Sequence, residues 1–269
     1  MLLADVVGVS RAVSATRARS KKVELLAETL RRLTPEEAAV AVSYLTGKPR
    51  QSRLGAGWAT IYGIDAPPAA EPSLQLLEVD AAFEQLSAAS GAGSKQRRES
   101  LLTDLLSRAT EDEQVFLRDL MLRNLRQGGL EGVMADAVAA ALGVAPERVR
   151  RAAMLEGDLV EVTSRALAEG PDSLGSTQLA LFTPVQPMLA KTATSAGEAL
   201  SSVGPAVVEW KLDGARIQVH RDRDRVSVYT RNLREITEKV PEVVAAVLGF
   251  PAASLILDGE ALLFGPSGP

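Results

Sequence analysis

Cysteine is absent from this chain, and histidine occurs once, at position 220. These two gaps exclude disulfides, a thiol nucleophile, a thiolate zinc site and any metal cluster built from several imidazoles. Long hydrophobic runs are missing too. No apolar stretch approaches the roughly 18 residues that a membrane-spanning helix needs. Asp5 interrupts the N-terminal Met1-Leu2-Leu3 before a signal pattern can develop. The implied location is the cytoplasm, with no membrane partner. The net charge is only −4, so binding to a polyanion must use local patches rather than a general positive coat.

What is present is a chain of 269 residues, 46% apolar and 24% charged, which is enough for one large globular domain or two ordinary ones. Its two parts carry different hydrophobic periods. In KKVELLAETLRRL the apolar residues Val23, Leu26, Ala27, Leu30 and Leu33 recur at helical spacing. Thr34-Pro35-Glu36-Glu37 then has the form of a capping box, with proline in the first turn. The device recurs at Thr110-Glu111-Asp112-Glu113. Further helices are expected at about 74–89, 96–108, 132–142, 146–155 and 158–169, and no strand is expected before residue 200.

EGPDSLGSTQLALFTPVQPMLAK, rich in turn formers, reads as a linker or domain entrance. Beyond it the period becomes two. VVEWKL, ARIQVHR, RVSVYTR and SLILDGEALLF read as half-buried strands, and REITEKVPEVVAAVLG as a segment containing one helix. Asp222-Arg223-Asp224 suits a hairpin turn. Alternation puts Glu209, Lys211, Arg216, Arg231 and Glu260 on one side of the sheet and aliphatic residues on the other. Alternation alone makes that charged side a solvated sheet face. His220 reads as a residue of that surface, and Arg221, Arg223 and Arg225 as parts of a solvated hairpin.

The identity of the charged residues argues for more. Lys211-Leu212-Asp213-Gly214-Ala215-Arg216 resembles the Lys-x-Asp-Gly-x-Arg signature of the ATP-dependent DNA ligases and their nucleotidyltransferase relatives. Thr230-Arg231-Asn232 and Leu257-Asp258-Gly259-Glu260 are similar to the next two motifs of that family, in order and spacing. PEEAAVAVSYLTGKPR, GAGWATI, GSKQRRESLLTDLLSRATEDEQVFLRDLMLRNLRQGG and PVQPMLA resemble the ligase DNA-binding domain and its approach to the catalytic domain. The likeness points to the bacterial type.

The resemblance implies an α+β chain. An all-helical DNA-binding domain covers 1–175, a linker or entrance 176–200, and the first, mainly antiparallel part of an adenylation domain 201–269. It implies ATP and Mg²⁺ as cofactors and nicked duplex DNA as partner, with a monomer at full length and service in replication, repair or recombination. Lys211 takes the position of the nucleophile that accepts AMP. Such a lysine is largely protonated near neutral pH and depends on nearby cations to attack. Glu209 is placed beside the adenine, Arg216 and Arg231 at the ribose or phosphates, and Glu260 at the ribose hydroxyls or a metal. Asp213 and Gly214 hold the turn that exposes Lys211, and Asn232 orders its own loop. For DNA the implied contacts are Lys95, Arg97 and Arg98 near Gly91 and Gly93, together with Arg126, Gly128 and Gly129. Glycine-containing turns there can aim helix N-terminal amides at phosphates.

Two other classes share features with this pattern. An RNA ligase or capping-type guanylyltransferase has the same lysine core, and an inert DNA-binding module could retain it without chemistry. The family also carries later lysine-bearing strands and an oligonucleotide-binding-fold domain. A chain ending at LLFGPSGP is therefore expected to be a fragment of a longer ligase, sealing nicks poorly by itself.

Overall fold

The computed structural model describes residues 1–125, 130–187 and 192–262. These fall into two units. The first comprises Met1–Ala152 with Asp158–Ser176, and the second Ala153–Gly157 with Thr177–Pro269.

The first unit is helical: α1 Leu3–Ala15, α2 Arg19–Leu30, α3 Pro35–Leu45, α4 Trp58–Tyr62, α5 Leu76–Ala88, α6 Ser94–Ser107, α7 Glu111–Met121, α8 Leu130–Leu142, α9 Pro146–Glu156, whose last residues count with the second unit, and α10 Leu159–Glu169. Both capping boxes form. The Thr34 hydroxyl accepts from the Glu37 N–H at 3.3 Å while the Glu37 carboxylate accepts from the Thr34 N–H at 3.1 Å. At the second box the Thr110 N–H donates to Glu113 Oε2 at 2.8 Å. The N-terminal ammonium also reaches Glu37, and these contacts hold that carboxyl below its ordinary range.

Helix α3 is buried at every position from Ala38 to Leu45. Its sequence, AAVAVSYL, is apolar or small all round, which suits a central helix with neighbours on several sides. It packs against α5 and α10, and α2 packs against α8. Tyr44, Phe83, Leu3, Leu26, Leu30 and Leu102 are among the largest side chains sealed in this core. Among the described residues, no helix is long and apolar enough to cross a membrane.

The second unit contains α11 Ala196–Val203, β1 Ala215–Asp222, β2 Arg225–Thr230, α12 Pro241–Leu248 and β3 Ser254–Ala261. The strands form an antiparallel sheet in the order β2-β1-β3. β1 and β2 are joined by the two-residue turn Arg223-Asp224, with Arg223 at φ 53°. One sheet face carries Ile217, Val219, Val226 and Val228. Val243, Val244 and Val247 of α12 cover it.

The chain differs from the sequence expectation in three places here. VVEWKL forms no strand. Residues 206–213 are outside the sheet, and Val207 and Trp210 are 91% and 93% exposed. Both edges of β1 are taken by β2 and β3, and among the described residues this segment joins no ladder, including at the outer edge of β3. An alternating pattern becomes a strand only where backbone partners exist.

The opposite sheet face is not simply solvated. His220 is fully buried and Gln218 is 7% exposed, because residues 182–185 lie across them. The Phe182 N–H donates to His220 Nδ1 at 2.8 Å, and the Val185 N–H donates to Gln218 Oε1 at 2.9 Å. Gln218 Nε2 returns a bond to the Val185 carbonyl, and the Tyr229 hydroxyl donates to the Phe182 carbonyl at 3.1 Å.

In the hairpin Arg223 and Arg225 are exposed, as expected, whereas Arg221 is only half-exposed. Arg221 donates to the carbonyls of Val247 and Phe250 at 2.8 and 3.0 Å, where α12 ends. The Arg225 guanidinium lies 3.7 Å from the centre of the Phe182 ring, a cation–π arrangement.

Candidate active site

Antiparallel pairing decides what gathers at the open end of the sheet. β1 begins where β2 and β3 end. The Lys211–Gly214 segment that leads into β1, the Thr230-Arg231 exit of β2 and Glu260 near the end of β3 therefore share one end.

Arg216 stands opposite Glu260 in the β1–β3 ladder, and Gln218 opposite Asp258. Arg216 crosses diagonally to Asp258 in a two-pronged pair, Nε to Oδ1 at 3.0 Å and Nη2 to Oδ2 at 2.7 Å. Both side chains remain partly exposed. The pairing raises the Arg216 pKa further above its ordinary value and fixes the guanidinium plane. Glu260 then turns to the loop. Its Oε1 accepts the Gly214 N–H at 3.0 Å.

Gly214 is required by closeness rather than by a left-handed backbone. A Cβ built there would stand 2.4 Å from the Ala261 carbonyl oxygen and 2.7 Å from Leu262 Cδ2. Only glycine lets the turn lie against the end of β3. Lys211 projects into solvent from this turn, with its Nζ 3.5 Å from Asp213 Oδ1 and its side chain 86% exposed.

Arg231 and Asn232 are exposed at the exit of β2. The loop they occupy is closed by Thr230, which donates its N–H to the Arg234 carbonyl at 2.9 Å and accepts the Arg234 N–H on its hydroxyl at 3.2 Å. Leu233 takes φ 60° to complete the turn. Glu209 is exposed in the segment before Lys211. Lys211, Arg216, Arg231 and Glu260 thus share the open end of the sheet, with Glu209 in the strandless approach.

Sequence reasoning did not single out Asp258 as the partner of Arg216, although their shared face was readable from alternation. The Phe182–Val185 contacts carried no comparable signal.

Among the residues considered for DNA, Lys95 and Arg97 are exposed in the first turn of α6, after a left-handed Gly93 at φ 76°. Lys95 lies 3.9 Å from Glu99. Arg98 turns inward and donates to the Ala89 carbonyl. Arg126, Gly128 and Gly129 lie outside the described residues.

Two family models match this chain. Residues 187–268 match the family model described as "ATP dependent DNA ligase domain", and residues 62–139 match "DNA ligase N terminus". A probable DNA ligase of Saccharopolyspora erythraea is 51% identical over 268 residues, covering 100% of this chain and 52% of the relative. One from Streptomyces griseus is 48% identical over 268 residues, covering 100% of this chain and 52% of the relative. One from Nocardia farcinica is 50% identical over 269 residues, covering 100% of this chain and 51% of the relative. The chain spans about half the length of the curated relatives it matches. With both family models matching in the order of its helical and sheet units, and the lysine turn held at the sheet end, the chain belongs to the ATP-dependent DNA ligase family.

Proposed function

We propose that the protein carrying this chain seals nicks in duplex DNA, in the cytoplasm, through an AMP carried on Lys211. The single observation that bears most weight is the Glu260–Gly214 hydrogen bond at 3.0 Å. It ties the lysine-bearing turn to β3 and leaves the Lys211 amine exposed, with only the equally exposed Asp213 carboxylate beside it.

In this reading the Lys211 Nζ attacks the α-phosphate of ATP. A P–N bond forms, the α–β phosphoanhydride bond breaks, and pyrophosphate leaves. The adenylate then passes to the 5′-phosphate at a nick, and lysine is regenerated. Attack of the 3′-hydroxyl on that activated phosphate closes the backbone and expels AMP.

Arg216 and Arg231 supply guanidinium donors to the ribose or phosphates. The Asp258 pair holds Arg216 ready, so less reorganisation is left for the moment of reaction. Glu209 belongs beside the adenine. The donor set fits a nucleotide with its metal: two arginines and a lysine suit phosphate oxygens, and Glu260 keeps Oε2 for a ribose hydroxyl or Mg²⁺ while Oε1 holds Gly214. Bound Mg²⁺ would neutralise phosphate charge in the transferring group.

The proposed division of labour gives residues 1–175 to DNA binding, with Lys95 and Arg97 as phosphate contacts, 176–200 to the connection and 201–269 to the start of adenylation.

The test uses the protein at the full length its gene encodes, with Mg²⁺ and ATP labelled at the α-phosphate. The expected product is AMP on Lys211 through an alkali-stable, acid-labile P–N bond, located by peptide mass spectrometry under non-acidic conditions and lost in K211A. AMP attached elsewhere, or no attachment, overturns the proposal. Preference for labelled GTP would move the protein to the capping class.

A further inference from the structure

We propose that the cavity between residues 49–57 and the end of α7 grips a backbone phosphate of duplex DNA. This rests on the DNA-ligase reading and assigns a new contact within it.

The cavity measures about 340 Å³ and is lined by Arg53, Gly55, Gly57 and Arg123, among others. Its cations differ from those around it. Lys48 is 2.8 Å from Glu131, and Arg50 is 2.9 Å from Asp80. Gln51 Nε2 also faces acid, donating to Asp80 and Glu84 at 3.3 and 3.2 Å. The flanking charge is therefore already neutralised. Arg53 is exposed, and no carboxylate reaches it among the described residues.

Arg123 is fixed without being neutralised. It takes φ 57° and donates to the Ser52 carbonyl at 2.8 Å. Two guanidinium groups thus face one concavity with their charge available, an arrangement matched to an anion with several acceptor oxygens.

The floor points the same way. Gly55 takes φ 70°, and a Cβ there would stand 2.6 Å from Arg98 Nε. The bare backbone lets a third guanidinium lie directly behind the cavity lining. Arg98 Nε is buried without a hydrogen-bond partner, and so is Gln51 Oε1.

Beside the cavity, Trp58 is 66% exposed and Tyr62 46% exposed. Their rings stand 5.1 Å apart, with Arg118 5.8 Å from the Tyr62 centroid. Flat apolar rings next to a cationic hollow match the alternation of sugar and phosphate along one DNA strand. Contacts of that kind hold duplex irrespective of sequence.

Anisotropy of a labelled intact duplex, titrated with the 1–269 chain over a KCl series, tests this. R53Q is expected to weaken binding to duplexes of any sequence and to reduce the log–log salt slope by about one. R53K should retain most of the slope, and K21Q, the same charge loss on α2, should leave it at the wild-type value. Circular dichroism melts check that R53Q is folded. Trp58 emission, read in a W210F background because the chain has two tryptophans, should change on adding duplex and not on adding inorganic phosphate at equal phosphate concentration.

If the wild-type chain binds duplex but folded R53Q binds with the same slope, the cavity is not the contact and only this inference falls. The same holds if free phosphate reproduces the Trp58 change. If the wild-type chain binds no duplex at any salt concentration, the DNA-binding reading itself falls and takes the cavity with it.

Discussion

The Glu260 carboxylate accepts the backbone N–H of Gly214 across 3.0 Å, tying the end of β3 to the loop that carries Lys211. A glutamine at 260 can still offer a carbonyl oxygen to that amide, whereas alanine cannot. In E260A the Gly214 amide should exchange with deuterium about tenfold faster, the scale of one lost hydrogen bond, and E260Q should stay near wild type. Hydrogen-exchange NMR reads this directly. Equal exchange in E260A and wild type would show that the contact holds nothing.

Gly214 tests the same joint from the other side. In G214A the added Cβ would meet the Ala261 carbonyl oxygen at 2.4 Å and Leu262 Cδ2 at 2.7 Å. Leu262 can rotate, but the β3 backbone must move. Overpacking of this kind costs about 1–3 kcal/mol. Urea unfolding should show that loss, whereas G259A, with open space where its Cβ would stand, should be milder.

Arg216 and Asp258 separate stability from chemistry. Both side chains are partly exposed, 40% and 51%, and pairs of that kind contribute up to about 1 kcal/mol at most. D258N should therefore barely shift urea unfolding. It weakens the two-pronged hold on the guanidinium, so AMP transfer to Lys211 in the full-length protein should fall by considerably more than stability does. Parallel losses in both would make Asp258 merely structural.

Much of this fold was legible because its signals are local. The Thr34/Glu37 and Thr110/Glu113 boxes mark helix starts through side chains three residues apart, and both form. Helix α1 was not singled out, although its buried residues Leu3, Val6, Val7, Ser10 and Val13 follow helical spacing. VVEWKL misled because alternation reports amphipathicity and not backbone pairing, and residues 206–213 join no ladder. His220 misled for a related reason. Its face was read correctly, but no local rule states that Phe182, far away in sequence, covers that face. In the site, the Lys211–Arg216 motif was plain as a string. The positioning by Asp258 and Glu260 depends on strand register, which the string does not contain.

His220 makes the covering of the sheet depend on pH. Its Nδ1 accepts the Phe182 N–H at 2.8 Å, so the ring is neutral with its proton on Nε2. Its surroundings are the Tyr229 ring at 5.1 Å and the Phe182 ring at 6.5 Å. Arg225 lies over the neighbouring Phe182 ring, and among the described residues no carboxylate pairs with His220. Burial pushes the pKa below the ordinary 6.5. The unfolded chain therefore binds the proton more readily than the folded one as acid is added. The stability from a neutral His220 is complete above about 6.5 and is lost as pH falls through the folded value. Because the chain has a single histidine, its imidazole proton resonances are unambiguous. They should titrate below 6.5, with the Phe182 amide shifting in step, and thermal stability should fall over the same range. H220Q, which cannot titrate, should lack that step. A midpoint at or above 6.5, or a Phe182 amide indifferent to the titration, would show that the segment is held without the imidazole.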